Sequence, residues 1–225
     1  MTGSAMPPHV LFSARQPRSP FPQRANRSYP ARFAAAWLIA ASLALSGCGP
    51  AAHQPEPPLA DSRLGGDFTL VDKAGKTVRS ADFAGKWRIV YFGYTFCPDV
   101  CPLDVQHLMQ GYHAFAHAHP DLAPQIVPLF ISIDPERDTP TAVGQFAGAF
   151  GKELVGLTGT PAQVAVAAKA YAVYYAKRDG EKPGTYLMDH SRAAYLMDPA
   201  GKPIALLSVD QDGKTVAAEL EQWVH

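Results

Sequence analysis

Acidic residues are missing from the first 55 positions of this 225-residue chain, where Arg15, Arg18, Arg24, Arg27 and Arg32 supply all the formal charge. Charge of either sign is then absent from Phe33 to Ser46. That run is too short for a bilayer-spanning helix, which takes about 20 apolar residues. A basic stretch, a short apolar stretch and then small residues make the pattern of a secretory signal. No two arginines stand side by side in it, which excludes the twin-arginine route for folded cargo. The chain is therefore expected to cross the membrane unfolded and to acquire any metal outside the cytoplasm.

Cysteine is scarce. Cys48, Cys97 and Cys101 are all there is, too few for a disulfide-dense scaffold. Cys48 closes the sequence Leu45-Ser46-Gly47-Cys48, which is similar to a bacterial lipobox. The expectation is cleavage before Cys48 and a lipid anchor on its thiol, giving a signal peptide over 1–47. Excess positive charge is also lacking. Removing the five arginines leaves 15 basic and 20 acidic residues, 15 − 20 = −5, which argues against a nucleic-acid partner. Residues 48–63, rich in Pro and Ala, show no apolar period and read as a flexible tether. One domain is then expected over 64–225, with no internal repeat.

Within that domain, 67–73 and 76–79 flank Ala74-Gly75 as a small hairpin. Residues 88–94, RIVYFGY, and 126–133, IVPLFISI, are β-branched and aromatic runs suited to strands buried on both faces. Between them, Leu103, Leu108, Tyr112, Phe115 and Ala116 recur at helical spacing. Pro140 and Pro161 each open a helical stretch, with a short strand at 154–157 between the two. Residues 192–198 and 202–209 flank a Pro-Ala-Gly turn, and a last helix covers 215–224. Strand, helix, strand, helix, hairpin and helix is the order of an α/β, thioredoxin-like sandwich, a mixed sheet flanked by helices.

Cys97 and Cys101 lie where a buried strand gives way to a helix. Unpaired N–H groups at a helix start favour thiolate, the form that attacks disulfides and the form that binds metals. A spacing of four puts the two Cα atoms about 6 Å apart along the helix rise, within disulfide range. A redox disulfide and a two-thiolate metal clamp are thus both open to Cys97 and Cys101.

Three separated segments resemble the Sco/SenC family, which assembles the copper site of cytochrome oxidase. They are YFGYTFCPDVCP at 91–102, SIDPERDTP at 132–140, and DHS at 189–191 ahead of YLMDPAG at 195–201. The resemblance implies a copper metallochaperone rather than an enzyme, with Cys97, Cys101 and His190 as ligands. Its partner would be the copper-binding subunit of cytochrome c oxidase, and its location the outer face of a bacterial membrane, the inner membrane for oxidase assembly. Two thiolates and an imidazole form a soft set that suits Cu(I), and with water or a fourth ligand the same set holds Cu(II). Structural zinc wants four protein ligands, and no third cysteine is left. His190 follows the stretch 179–189, whose Gly and Pro content reads as a flexible loop inserted in the fold and carrying the histidine.

The rival function is thiol–disulfide exchange on other proteins. Its usual motif has two intervening residues, where this chain has three, and it gives His190 no duty. A peroxiredoxin-type peroxidase places Thr or Ser three residues before its reactive cysteine, where Tyr94 stands here. Seven further residues are weighed as secondary candidates. His113 and His117, one helical turn apart, read as a solvated face; Met188 and Met197 as core. Asp134, Glu136 and Asp138 read as turn and helix-capping residues.

Overall fold

The computed structural model describes residues 55–225; the signal segment and Cys48 lie outside them. Nine strands and four α-helices follow in the order β1 (Thr69–Val71), β2 (Thr77–Arg79), β3 (Trp87–Gly93), α1 (Val100–Ala118), β4 (Ile126–Ser132), α2 (Pro140–Phe150), β5 (Val155–Leu157), α3 (Pro161–Ala170), β6 (Tyr175–Asp179), β7 (Tyr186–His190), β8 (Ala194–Met197), β9 (Pro203–Leu207) and α4 (Gly213–Trp223). Five of the strands form one mixed sheet in the order β5-β4-β3-β8-β9. β3 pairs parallel with β4 and antiparallel with β8. This is the expected sandwich.

The central strand explains itself. All seven residues of β3 are buried, so an unbroken apolar stretch, not alternation, is what the position demands, and the one charged residue, Arg88, donates to Asp198 O at 3.1 Å. Pro128 sits inside β4 at a tolerable place, because β5 covers only Leu129 to Ile131. α2 and α3 open on Thr139 and Thr160, whose hydroxyls accept from Ala142 N–H and Gln163 N–H, with proline at the next position. α1 and α4 meet closely at Gly111: a Cβ there would come within 2.5 Å of Val216. β1 and β2 pair antiparallel, and Val71 exchanges backbone hydrogen bonds with Thr158.

Two segments differ from expectation. The stretch 179–189 is not a free loop. β6 and β7 pair antiparallel from Tyr175↔His190 to Asp179↔Tyr186, leaving only 180–185 as the turn. The ribbon stands apart from the five-stranded sheet and is largely exposed, so its sequence carries little apolar alternation to announce it. At the other end, the expected tether is pinned before it reaches residue 64: Leu59 N–H donates to Ile204 O at 3.0 Å. Among the described residues no helix is long and apolar enough to cross a membrane.

Candidate metal centre

β3 delivers the chain to Gly93 in the middle of the sheet, and the next residues turn into α1 at Val100. Cys97 lies in that turn and Cys101 in the first turn of the helix. Both are free thiols and both are buried. The Cys101 N–H donates to Cys97 Sγ at 3.3 Å, so a helix-start donor is aimed at a sulfur as the sequence position required. Gly93 makes room: a Cβ there would lie 3.3 Å from Cys101 Sγ and 3.0 Å from both Tyr91 and Phe130.

His190, at the end of β7, reaches the same point. Its Nε2 is 3.2 Å from Cys101 Sγ, across 89 residues of sequence. Its Nδ1 stands 2.9 Å from Ser191 O. A carbonyl oxygen only accepts, so Nδ1 carries the proton and Nε2 presents a lone pair to the cysteines. The rings of Tyr91 and Tyr94 meet the imidazole edge-on at 6.4 and 6.0 Å.

The two thiols are pushed apart in acidity. Cys97 falls well below the ordinary thiol range, chiefly through the hydrogen bond from Cys101, with the backbone N–H groups of Asp99 and Cys101 adding to it against burial. Cys101 rises, because it donates to Cys97 and because it is buried. One proton thus sits on Cys101 between two acceptors, and Cys97 is the thiolate. Tyr91 is driven up by burial first, then by the negative charges near Cys101 and Asp104.

The carboxylates of the 132–140 segment hold this site without entering it. Asp138, 1 % exposed, accepts from Thr95 N–H at 3.0 Å, Thr95 Oγ1 at 2.6 Å and Ser132 Oγ at 2.6 Å. It ties down the turn that carries Cys97. Asp134 accepts from Arg137 Nε and, at 2.8 Å, from Tyr186 Oη. Arg137 in turn donates to Tyr186 O and lies 3.6 Å above its ring. That cluster ties down β7. The capping expected of Asp134 and Asp138 falls instead to Thr139. Glu136 forms an exposed pair with Lys177 on β6. Tyr186 lies 52 residues from Asp134 and Thr95 lies 43 residues from Asp138, beyond the reach of local reasoning.

Of the other candidates, Met188 lines the same cavity as Cys97 and His190. His113 faces Glu153 at 3.4 Å on an exposed surface, and His117 is exposed. Met188 and Met197 are packed in the core. Asp104, which sequence reasoning passed over, is fully buried beside the site and is held by Arg192 and Tyr91. Among the described residues no three His, Cys, Asp or Glu side chains are already closed around a metal position. Cys97, Cys101 and His190 are adjacent, with Cys101 between the other two.

The family model for SCO1/SenC matches residues 56–225. The chain belongs to the SCO1/SenC family. It is 43% identical over 140 residues to the SenC protein of Rhodobacter capsulatus, covering 62% of this chain and 61% of that protein. It is 37% identical over 157 residues to the human mitochondrial SCO1 homolog, 70% of this chain and 52% of that one. The chain thus spans about half to three fifths of the length of these SCO1/SenC relatives. Copper-bound ScoI of Arabidopsis thaliana superposes with a TM-score of 0.66 at 36% identity, over 71% of this chain and 97% of that one. Copper-bound ScoI of Bradyrhizobium japonicum gives 0.64 at 35%, over 72% and 99%. BsSco, a member of the Sco family of cytochrome c oxidase assembly proteins with a disulfide switch, shares the fold at 20% identity, over 75% and 96%, with a TM-score of 0.57.

Proposed function

We propose that this chain is a copper carrier that takes Cu(I) on Cys97, Cys101 and His190 and passes it to the copper-binding subunit of cytochrome c oxidase during assembly. One observation carries the reading: Nε2 of His190, free of its proton, stands 3.2 Å from Cys101 Sγ, which neighbours the Cys97 thiolate. Copper is the cargo, and the chain's work is to hold it in soft ligands and let it go. Closing the set requires the Cys101 proton to leave and the cysteine turn to tighten on the metal. A two-electron acceptor such as another protein's disulfide, itself reduced to two thiols, would convert both thiolates to a Cys97–Cys101 disulfide, so loading belongs to the reduced protein. In the same reading residues 1–47 are a signal peptide, Cys48 bears the lipid, and 48–63 precede a thioredoxin-like domain at 64–225, facing the bacterial periplasm from the inner membrane.

The test is copper analysis of the reduced protein beside variants. One copper per chain is expected, lost in Cys97→Ala and Cys101→Ala and weakened in His190→Ala. Unchanged stoichiometry in the double cysteine variant sinks the assignment.

A second reading has its own support. One depressed thiol beside one elevated thiol, about which a proton is shared, is also the arrangement of an attacking and a resolving cysteine. Turnover of a protein disulfide by the reduced chain, undiminished in His190→Ala, would favour an oxidoreductase.

A further inference from the structure

We propose that the Asp104–Arg192 pair is a positioning device that sets His190 against Cys101, an inference that rests on the copper-carrier reading above. Asp104 is on α1, three residues after Cys101, so both project from one face of the helix. It is wholly buried. Its two oxygens are both engaged: Oδ1 accepts from Arg192 Nη2 at 2.6 Å, and Oδ2 from Arg192 Nε at 3.0 Å and Tyr91 Oη at 2.9 Å. Arg192 follows His190 by two residues, with β8 beginning just after it at Ala194.

The imidazole has little bracing of its own. Apart from Cys101, its hydrogen-bonding contact is Nδ1 to the neighbouring Ser191 carbonyl. Ser191 is bonded back to Tyr174, at the foot of the same ribbon. The ring therefore goes where its backbone goes. β6 and β7 form a two-stranded ribbon outside the main sheet, and the two-point grip of Arg192 on Asp104 fastens its histidine end to the helix that carries Cys101. Tyr91 completes the frame, with its hydroxyl on Asp104 and its ring edge-on to His190.

Stability is a poor reason for such a pair. A buried ion pair is often matched or exceeded by apolar side chains of the same volume. What an apolar pair lacks is direction, and a planar guanidinium forked onto a carboxylate fixes both distance and angle. Metal sites are sensitive to that kind of support, which typically changes metal affinity 10- to 100-fold.

The experiment uses the full-length protein, reduced and solubilised in detergent, with Arg192→Met, Asp104→Asn and Tyr91→Phe. Cu(I) affinity is measured against a competing chelator, and Cu(II) loading by its sulfur-to-copper absorption and electron paramagnetic resonance spectrum. Arg192→Met should weaken copper about tenfold or more and alter the Cu(II) spectrum. Asp104→Asn should do the same, the double variant should be no worse than the stronger single, and Tyr91→Phe should be milder. Arg192→Met leaves the buried Asp104 carboxylate with Tyr91 Oη as its donor, so thermal unfolding checks the fold of each variant, and the double variant Asp104→Asn, Arg192→Met, which buries no unpaired charge, carries the test where a single variant fails to fold. Exchange of amides 186–192 in the copper-free protein should quicken in Arg192→Met. Wild-type affinity and spectrum in Arg192→Met, or unchanged exchange, overturns the proposal. If wild type itself takes no copper, the carrier reading fails and the exchange arm alone decides whether the pair holds the histidine strand.

Discussion

Replacing Asp138 separates two forces that act on it in opposition. Three donors point at its carboxylate, and hydrogen bonds to a charged group contribute about 1.5–3 kcal/mol each. Burial nevertheless outweighs them, and its pKa is raised, with the nearby Asp134 charge pushing the same way. Asp138→Ala removes the acceptor and strands Ser132 Oγ in the core and Thr95 N–H beside Cys97. The expected loss is about 3–5 kcal/mol, in the range of a broken buried network. Asp138→Asn differs sharply. Its amide oxygen can take the Oδ2 place and accept from Thr95 N–H and Ser132 Oγ, while its NH2 donates to Thr95 Oγ1, a hydroxyl free to turn. The cost at neutral pH should be within about 1 kcal/mol. The pH dependence follows from the sign of the shift. A raised folded pKa means the folded state holds the proton more tightly, so this group's contribution is complete below its ordinary value of 3.8 and is lost as pH rises through the folded value. Wild type should therefore gain on Asp138→Asn as pH falls through that window, and the two should converge or reverse at pH 7. Urea unfolding of both proteins between pH 3.5 and 7 measures it. A gap that widens toward neutrality would refute the balance drawn here, and would mean that the donors outweigh the burial.

Four other expectations are simpler. Cu(I) loading at neutral pH should release about one proton per metal, the one on Cys101, read by calorimetry in buffers of differing ionisation enthalpy. Arg137→Ala should free the far end of the ribbon, quickening exchange at Tyr186 and Leu187 while Ile89 and Val90 stay protected. Gly111→Ala gains about 1 kcal/mol of helix propensity and loses more to the clash with Val216 and Gly213 O, so a net loss of about 1–2 kcal/mol is expected by thermal unfolding. Cys48→Ser should leave an unprocessed or released form, and mass spectrometry of the wild-type N-terminus should show lipid on Cys48.

The sheet and the cysteine pair were legible in the sequence because their causes are local. After Arg88, the run 89–94 carries no charge because β3 is buried on both faces, and Cys97 and Cys101 declare themselves by standing at a strand-to-helix turn. His190 was legible only through family resemblance, since nothing near it in sequence says that Cys101 is 3.2 Å away. The ribbon was missed because its strands face water and one partner only, and Tyr175-Ala-Lys-Arg-Asp179 has no apolar alternation. Asp104 was missed for the opposite reason. A carboxylate on a helix is ordinarily a solvated face, and only the fold reveals that this one is enclosed and gripped by a residue 88 positions later.

The turn after β4 touches both halves of the candidate site: Asp138 holds Thr95, two residues before Cys97, and Asp134 holds Tyr186, four residues before His190. Five residues thus serve as a common reference point for candidate ligands nearly a hundred positions apart. Thermal motion of that turn carries cysteine turn and histidine strand together, so their fluctuations are correlated and the spacing between them varies less than the position of either. In the proposed copper carrier, the centre can then be mobile as a whole while keeping its internal dimensions.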